Sequence, residues 1–472
     1  MDGTRKQLGA WYTPSDLVET VVDAVVTPSF VSSRPALSVL DPACGDGRFL
    51  AAVDRRARVS GAIATLTGAD VDAGAIESAG HELAGRPVEL RHIDALVAPW
   101  GPRRFDLVVG NPPFLSQMAA ATTRGGSSRR GGGPYADVAA EFLALAAELV
   151  DPDGGRVALV LPQSLLASRD ARAIRTEIGE HAHMIWSWWS DRRVFDAQVY
   201  ICAVAFEFGT PEPPERRSNW SHVVARRIGI PPLPAELGAD GTLGDRAQCN
   251  ANFRDEYYGM VPAVGDHGRG PALLTSGLID PGRSWWGERS IRFAKRTYRR
   301  PRVDLARLDD RMRRWAHRRL VPKVLVANQT RMVEAVCDPR GTWLPAVPVL
   351  GVYPSGAHWD DPLDAARTAD ELADAAWDIA AVLTSPVASA WVWHRGAGTG
   401  LAADAIRLSP AGLGELPWPT GDLAPAVTAL REGDVRACGR AVDAAYGVGA
   451  DEELFDWWAG LLERTEVRHA AS

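Results

Sequence analysis

Three stretches of this chain follow one plan, in which an apolar run ends in an acid at a turn. They are Leu37-Ser38-Val39-Leu40-Asp41, Leu66-Thr67-Gly68-Ala69-Asp70 and Val88-Glu89-Leu90-Arg91-His92-Ile93-Asp94. A helical pattern (Phe49, Leu50, Val53) follows the first, and a helix is expected from Ala73 to Leu83 after the second. Strands alternating with helices specify βα units and a parallel sheet. In such a sheet the carboxyl ends of neighbouring strands open into one crevice, where ligands bind. Asp41, Asp70 and Asp94 would then face a common site. Asp70 or Asp94 alone is better explained as a helix cap or a solvated turn residue.

Between the first strand and its helix lies Pro42-Ala43-Cys44-Gly45-Asp46-Gly47. Glycines at such a turn let the backbone approach a ligand closely. No Lys-Ser/Thr follows, and Asp41 and Asp46 would repel a phosphate, so the turn is not a phosphate cradle. An acid here suits a cationic ligand group. Asp70 is placed to take ribose hydroxyls, and Asp94 to accept from an adenine amino group. A plain β-turn-α connection remains the alternative.

A fourth apolar run, Phe105-Asp106-Leu107-Val108-Val109-Gly110, leads directly into Asn111-Pro112-Pro113-Phe114. Proline biases Asn111 to an extended conformation. The two prolines fix φ and remove two backbone donors, so carbonyls dominate the local polar surface. A planar amino group carries two N–H donors. The Asn111 side-chain oxygen and the Pro112 carbonyl can accept one each, with Phe114 against the ring face. A tight Pro-rich loop with an incidental aromatic is the bland reading.

Together these elements resemble the class I S-adenosylmethionine-dependent methyltransferases, and residues 9–209 are similar to the γ-class, TaqI-like adenine-N6 DNA methyltransferases. The matching residues are Tyr12-Thr13-Pro14, Asp41 to Gly47, Gly68 to Asp72, Asp94 and Asn111 to Phe114, in an order that defines the γ class. The resemblance implies a mostly parallel, Rossmann-like sheet with an antiparallel last strand, followed by a C-terminal α+β target-recognition domain. It implies S-adenosylmethionine as cofactor, held by Tyr12, Thr13, Asp41, Ala43, Gly45, Gly47, Asp70, Val71, Asp94 and Ala95. It implies that Asn111, Pro112, Pro113 and Phe114 grip a flipped adenine, with Phe195 as a second aromatic before the closing strand. From the residues alone, Thr13 reads as a helix N-cap with Pro14 at the first helical position, and Phe195 as a core residue.

The other elements expected in this half are a mobile basic loop over 124–134, a helix over 136–150 and strands over 156–162 and 199–208. The Pro-rich stretch 210–217 reads as a boundary, giving a catalytic domain over 1–212 and a DNA-binding recognition domain over 213–472.

A net charge of −7 argues weakly against a nucleic-acid partner, but the average misleads. Between Pro281 and Ala335 there are sixteen Lys/Arg against five Asp/Glu, which favours a phosphate-binding face over a self-neutralised helix. Lys295, Arg296, Arg299, Arg300 and Lys323 are candidate DNA contacts in it. Asn328, Gln329 and Arg331 are side-chain types that read base edges.

Five scattered cysteines show neither zinc-ligand nor disulfide spacing, and no metal is expected. No signal peptide or membrane-length apolar run is evident, which makes the cytoplasm, with nucleoid association, the expected compartment. Duplex DNA is the expected partner, with a separate restriction endonuclease or defence-system component beside it. An RNA base amine or a protein glutamine as acceptor, or a non-catalytic DNA-binding relative, are the alternatives.

Overall fold

The computed structural model describes residues 13–114, 130–133, 136–190, 194, 200–234, 236–356, 368–400, 405–449 and 452–470. The chain divides into two units, Met1–Val223 and Val224–Ser472. The division falls later than the expected 212–213 junction, because the residues after the Pro-rich stretch pack into the first unit. Trp220 is buried against Phe206, with ring centroids 4.7 Å apart. Arg175 Nε donates to the Ser218 carbonyl at 2.8 Å.

In the first unit, β1 (Ala36–Asp41), β2 (Ile63–Asp70), β3 (Val88–His92), β4 (Leu107–Gly110), β5 (Arg156–Pro162), β6 (Ala182–Trp189) and β7 (Ile201–Phe208) form one sheet. Its order is β3-β2-β1-β4-β5-β7-β6. The first five strands pair in parallel, and β7 runs antiparallel to both β5 and β6. This is the class I methyltransferase fold. All four residues of β4 are buried, and β5 and β7 are nearly so, as expected for strands covered on both faces. β6 was not foreseen. Its Trp186, Trp188 and Trp189 are half-buried at the sheet edge.

The flanking helices keep their apolar stripes against the sheet. In α1 (Ser15–Val25) these are Leu17, Val18, Val21, Val22 and Val25. α2 (Arg48–Val59) follows the glycine turn. α3 (Ala73–Glu82) is capped by Asp72, which accepts from Gly74 N, and α4 (Val138–Leu149) by Asp137, which accepts from Ala139 N. From β1 the chain builds outward through β2 to β3, then crosses to the other side of β1 to form β4. Loops leaving β1 and β4 therefore diverge, and the crevice opens between them.

The second unit combines helices with short, mostly antiparallel strands, an α+β content. Ala335–Asp338, Lys323–Val326, Leu350–Pro354 and Ala247–Ala251 form a four-stranded sheet in that order, with the helix Ala369–Leu383 packed on it. Lys323 is fully enclosed there and ion-paired with Asp338 at 2.5 Å. Burial pulls its ammonium below the usual lysine range, and Asp338 opposes that pull. Asp338 also accepts from Thr342 N and Trp343 N, fixing the turn after its strand. Removing one member of a buried pair strands the other charge. Lys323→Ala is therefore expected to lower unfolding free energy by about 3–5 kcal/mol, measurable by urea denaturation of the full chain.

No single helix among the described residues is long and apolar enough to cross a membrane. One bent pair, Ala369–Leu383 with Pro386–Gly396, passes by length and composition, and most of its apolar residues are buried within the unit.

Candidate active site

The first strand ends in Asp41, which is 1% exposed. Its Oδ1 accepts from Ala43 N at 3.1 Å. Burial is the main influence on its acidity and pushes it up to about 8. The Ala43 bond opposes this, while Asp70 and Asp46 add to it. Burial therefore disfavours the charged carboxylate at the end of β1. The end of β4 closes over it: a Cβ on Gly110 would lie 2.5 Å from Asp41 Oδ1. Only glycine lets β4 and the carboxyl approach so closely.

The glycine turn is held open by two anchors. Cys44 N donates to Ala69 O, and Gly45 N to Asp70 Oδ2, both at 2.9 Å. Gly45 lies at φ +53°, and a side chain there would meet nothing within 4 Å; the space above it is available to a ligand. Gly47 packs against Ala79 and Leu83 of the next βα unit. Asp70 is half-buried; its Oδ1 also accepts from Asp72 N at 2.9 Å. Val71, just beyond it, is 53% exposed, an uncovered apolar surface beside an acid. Asp94 is exposed and accepts from Leu96 N, and Ala95 is buried with its carbonyl bonded to Trp100 Nε1. A buried acid, an open glycine turn, an acid with spare lone pairs and an apolar shelf fit a ligand with a cationic end, a ribose and a flat ring.

Asn111 follows Gly110 at the end of β4, beside Asp41. Its Nδ2 donates to Thr13 Oγ1 at 2.9 Å across 98 residues of sequence. Thr13 is 3% exposed. It is not the helix cap the sequence implied: Pro14 occupies that position with no side-chain cap bond. The hydroxyl is taken by Asn111 instead. Pro112 and Phe114 are buried, and Asn111 and Pro113 half-buried. Tyr12 and Phe195 lie outside the described residues.

Arg48 was missed. Its Nη1 donates to Thr13 O at 2.5 Å and its Nε to Asp46 Oδ1 at 2.9 Å, so one guanidinium ties the segment before α1 to the glycine turn. A readable signal existed, since a cation at the first position of a helix opposes the helix dipole. Arg48→Gln is expected to weaken cofactor binding about tenfold, through about 1.4 kcal/mol of lost positioning. Calorimetric titration with cofactor checks this. Gly110 was also missed as a contact to Asp41, because sequence alone does not place two strand ends together.

The candidate DNA contacts separate into two groups. Lys295, Arg296, Arg299 and Arg300 are exposed, on or just after a hairpin of Ile291–Phe293 and Arg296–Tyr298. Its two-residue turn, Ala294 and Lys295, has φ of 48° and 65°. These left-handed values match the twist of a tight hairpin. Arg331 is exposed and Gln329 half-buried. Lys323 is enclosed in its ion pair and cannot reach a phosphate. Asn328 is 8% exposed, and its Nδ2 donates to Leu408 O at 2.6 Å; its amide serves the fold. Among the described residues no group of three or more His, Cys, Asp or Glu could hold a metal.

Residues 2–185, which span every site residue from Thr13 to Phe114, match the N-6 DNA methylase family. The cofactor that goes with this family and fold is S-adenosylmethionine. Solved structures similar to this chain include a class I S-adenosylmethionine-dependent methyltransferase of Listeria monocytogenes, 20% identical over 42% of this chain and 61% of that one, with a TM-score of 0.35. A type I restriction-modification methyltransferase subunit of Streptococcus thermophilus is 19% identical over 42% of this chain and 45% of its own, with a TM-score of 0.34. The type IIG restriction endonuclease BpuSI is 13% identical over 97% of this chain and 66% of its own, with a TM-score of 0.38. This chain spans about half to two thirds of these structures' own lengths.

Proposed function

We propose that the chain is a site-specific DNA methyltransferase that moves a methyl group from S-adenosylmethionine to the exocyclic N6 of an adenine flipped out of duplex DNA. The observation that carries this reading is the placement of Asn111-Pro112-Pro113-Phe114 at the end of β4, beside Asp41, with the Asn111 amide tied to Thr13. The order of the Tyr12-Thr13-Pro14, glycine-turn and Asn-Pro-Pro-Phe elements supports the γ class. The first unit is the catalytic part, and the second reads the target.

S-adenosylmethionine supplies a methyl group made electrophilic by a sulfonium. Asp41, once ionised, would hold the cationic amino end, the Asp70 carboxylate would take the ribose hydroxyls, and Val71 would offer its exposed apolar surface to the ring of the cofactor. Asp94, Ala95 and Ala43 complete that wall. The target adenine leaves the helix stack, and Phe114 and Phe195 replace part of the stacking it loses. The Asn111 side-chain oxygen and the Pro112 carbonyl accept the two N6–H bonds and draw the nitrogen toward a pyramidal geometry. Its lone pair, freed from the ring, would then be positioned to take the methyl group that the bound cofactor would supply. The methylated nitrogen loses one proton to an acceptor or to water. No strong base is required, and positioning supplies most of the acceleration.

Duplex DNA as acceptor is supported by the exposed cations of the second unit. A separate restriction endonuclease or another defence component is the partner this function implies. The test is transfer of labelled methyl to unmethylated duplex DNA, with duplex RNA and cell protein as competing acceptors. Label in RNA or protein alone would contradict the reading.

A further inference from the structure

Phe253 is 71% exposed and Tyr258 56% exposed, the only strongly exposed aromatics among the described residues. Both belong to one short helix, Arg254–Met260, with Phe253 at its N-cap. Phe253 is held firmly: its backbone N donates to Glu256 Oε2 at 2.8 Å. The helix is pinned from below as well. Tyr257 packs on Phe293 at 4.9 Å, and its hydroxyl accepts from Ala294 N in the turn of the basic hairpin. Gly259 lies so close to the helix Asp310–Arg319 that a Cβ there would be 2.6 Å from Met312.

Two arginine-bearing hollows each take one lining residue from the short helix, Glu256 in one and Tyr257 in the other. One, of about 230 Å³, is lined by Glu256, Arg311, Arg314, Trp315, Arg318 and Arg319. Arg311, Arg314 and Arg318 are exposed, and their spacing of three and four puts them on one helix face. No carboxylate among the described residues pairs with Arg311 or Arg314. The other hollow, of about 530 Å³, carries Arg289 and Arg292 with Thr275, Ser276 and Ser290, and has an apolar side that includes Val347 and Pro348. Two exposed rings on this short helical ridge, Tyr258 with the Arg254 guanidinium over it, together with the arginine-bearing hollows that the same helix helps to line, suit a polyanion that also carries flat apolar rings. An acidic peptide would use the cations and leave the rings in water.

We propose that this ridge is a base-contacting edge of the second unit, with Phe253 and Tyr258 stacking on or wedging between nucleobases of duplex DNA while Arg311, Arg314 and Arg292 hold its phosphates. It rests on the DNA-methyltransferase reading and names residues that reading does not use. An apolar wedge contributes contact that salt does not screen, and arginine–phosphate contact is salt-dependent.

The test is fluorescence-anisotropy titration of the full-length protein with a labelled DNA duplex at several salt concentrations. Phe253→Ala is expected to weaken binding about 5- to 150-fold with the salt slope unchanged. Arg311→Gln/Arg314→Gln is expected to reduce that slope by about 2. Both variants should keep wild-type melting temperature and cofactor affinity. Unchanged DNA binding in both, in a wild-type protein that still methylates DNA, overturns the ridge and leaves the function standing. Phe253→Ala weakening binding to an RNA duplex but not to DNA also overturns it. Absence of N6-methyladenine in DNA treated with the wild-type protein would sink the underlying function instead.

Discussion

Asn111→Ala should abolish methyl transfer while leaving the cofactor bound. The side chain is asked for an oxygen that accepts from the target amine, which alanine lacks. Loss of one group that stabilises developing charge in a closed site costs on the order of 10²–10³ in turnover. With the lost orientation of the amine added, the expected fall is at least of that order. Thr13 also loses its partner at 2.9 Å, worth about 1 kcal/mol of stability. Cofactor affinity should stay within about threefold, because the bonds that hold the glycine turn run from Ala43 N to Asp41, from Cys44 N to Ala69 and from Gly45 N to Asp70. Asn111→Asp keeps an oxygen and is expected to retain part of the activity. Single-turnover rates measured at saturating cofactor separate the chemical step from binding.

Asp41→Asn should act in the opposite sense on stability and on cofactor binding. The folded-state carboxyl titrates near 8, chiefly because it is buried, whereas in the unfolded chain it titrates near 4. Between those values the folded state holds the extra proton, so stability falls as pH rises through the window, and the loss is complete above about 8. Asparagine has no charge to bury. The variant should melt several degrees higher than the wild type at pH 8, and the difference should shrink toward pH 4. The cationic end of the cofactor needs the ionised form. In the wild type, affinity should therefore rise between about pH 6 and 8, with a proton released on binding. In Asp41→Asn it should be weaker on the order of 10²-fold and lose that pH dependence. A variant that melts lower at pH 8, or binds cofactor with the wild-type pH profile, would show that Asp41 is not the cation-holding group.

The residues readable in the sequence were those whose place in the fold is set by near neighbours. Asp41 and Asp70 stand at the ends of apolar runs, and glycine or proline marks the turns that follow; strand, turn and acid are all encoded within a few positions. Asn111 was legible for the same reason. The bond from Asn111 to Thr13 was not, because it joins positions 98 residues apart and the local pattern around Thr13 is already satisfied by a helix start. The same limit misplaced Lys323 and Asn328. A lysine before Val324, Leu325 and Val326 reads as a cation at a strand's edge until the strand Ala335–Asp338 places a carboxylate against it. Asn328 reads as a free amide until Leu408 arrives from eighty residues away. The exposed hairpin cations were legible because no distant segment among the described residues covers them, and Arg48 was readable from its unfavourable place at a helix start.

The most direct measurement is mass spectrometry of nucleosides from unmethylated duplex DNA incubated with labelled S-adenosylmethionine and either the wild-type protein or Asn111→Ala at equal cofactor occupancy. Labelled N6-methyldeoxyadenosine with the wild type, and its loss in the variant, is the predicted result. Labelled N6-methyldeoxyadenosine at similar levels from both proteins would contradict the role given to Asn111, and label on cytosine, RNA or protein would contradict adenine in DNA as the acceptor.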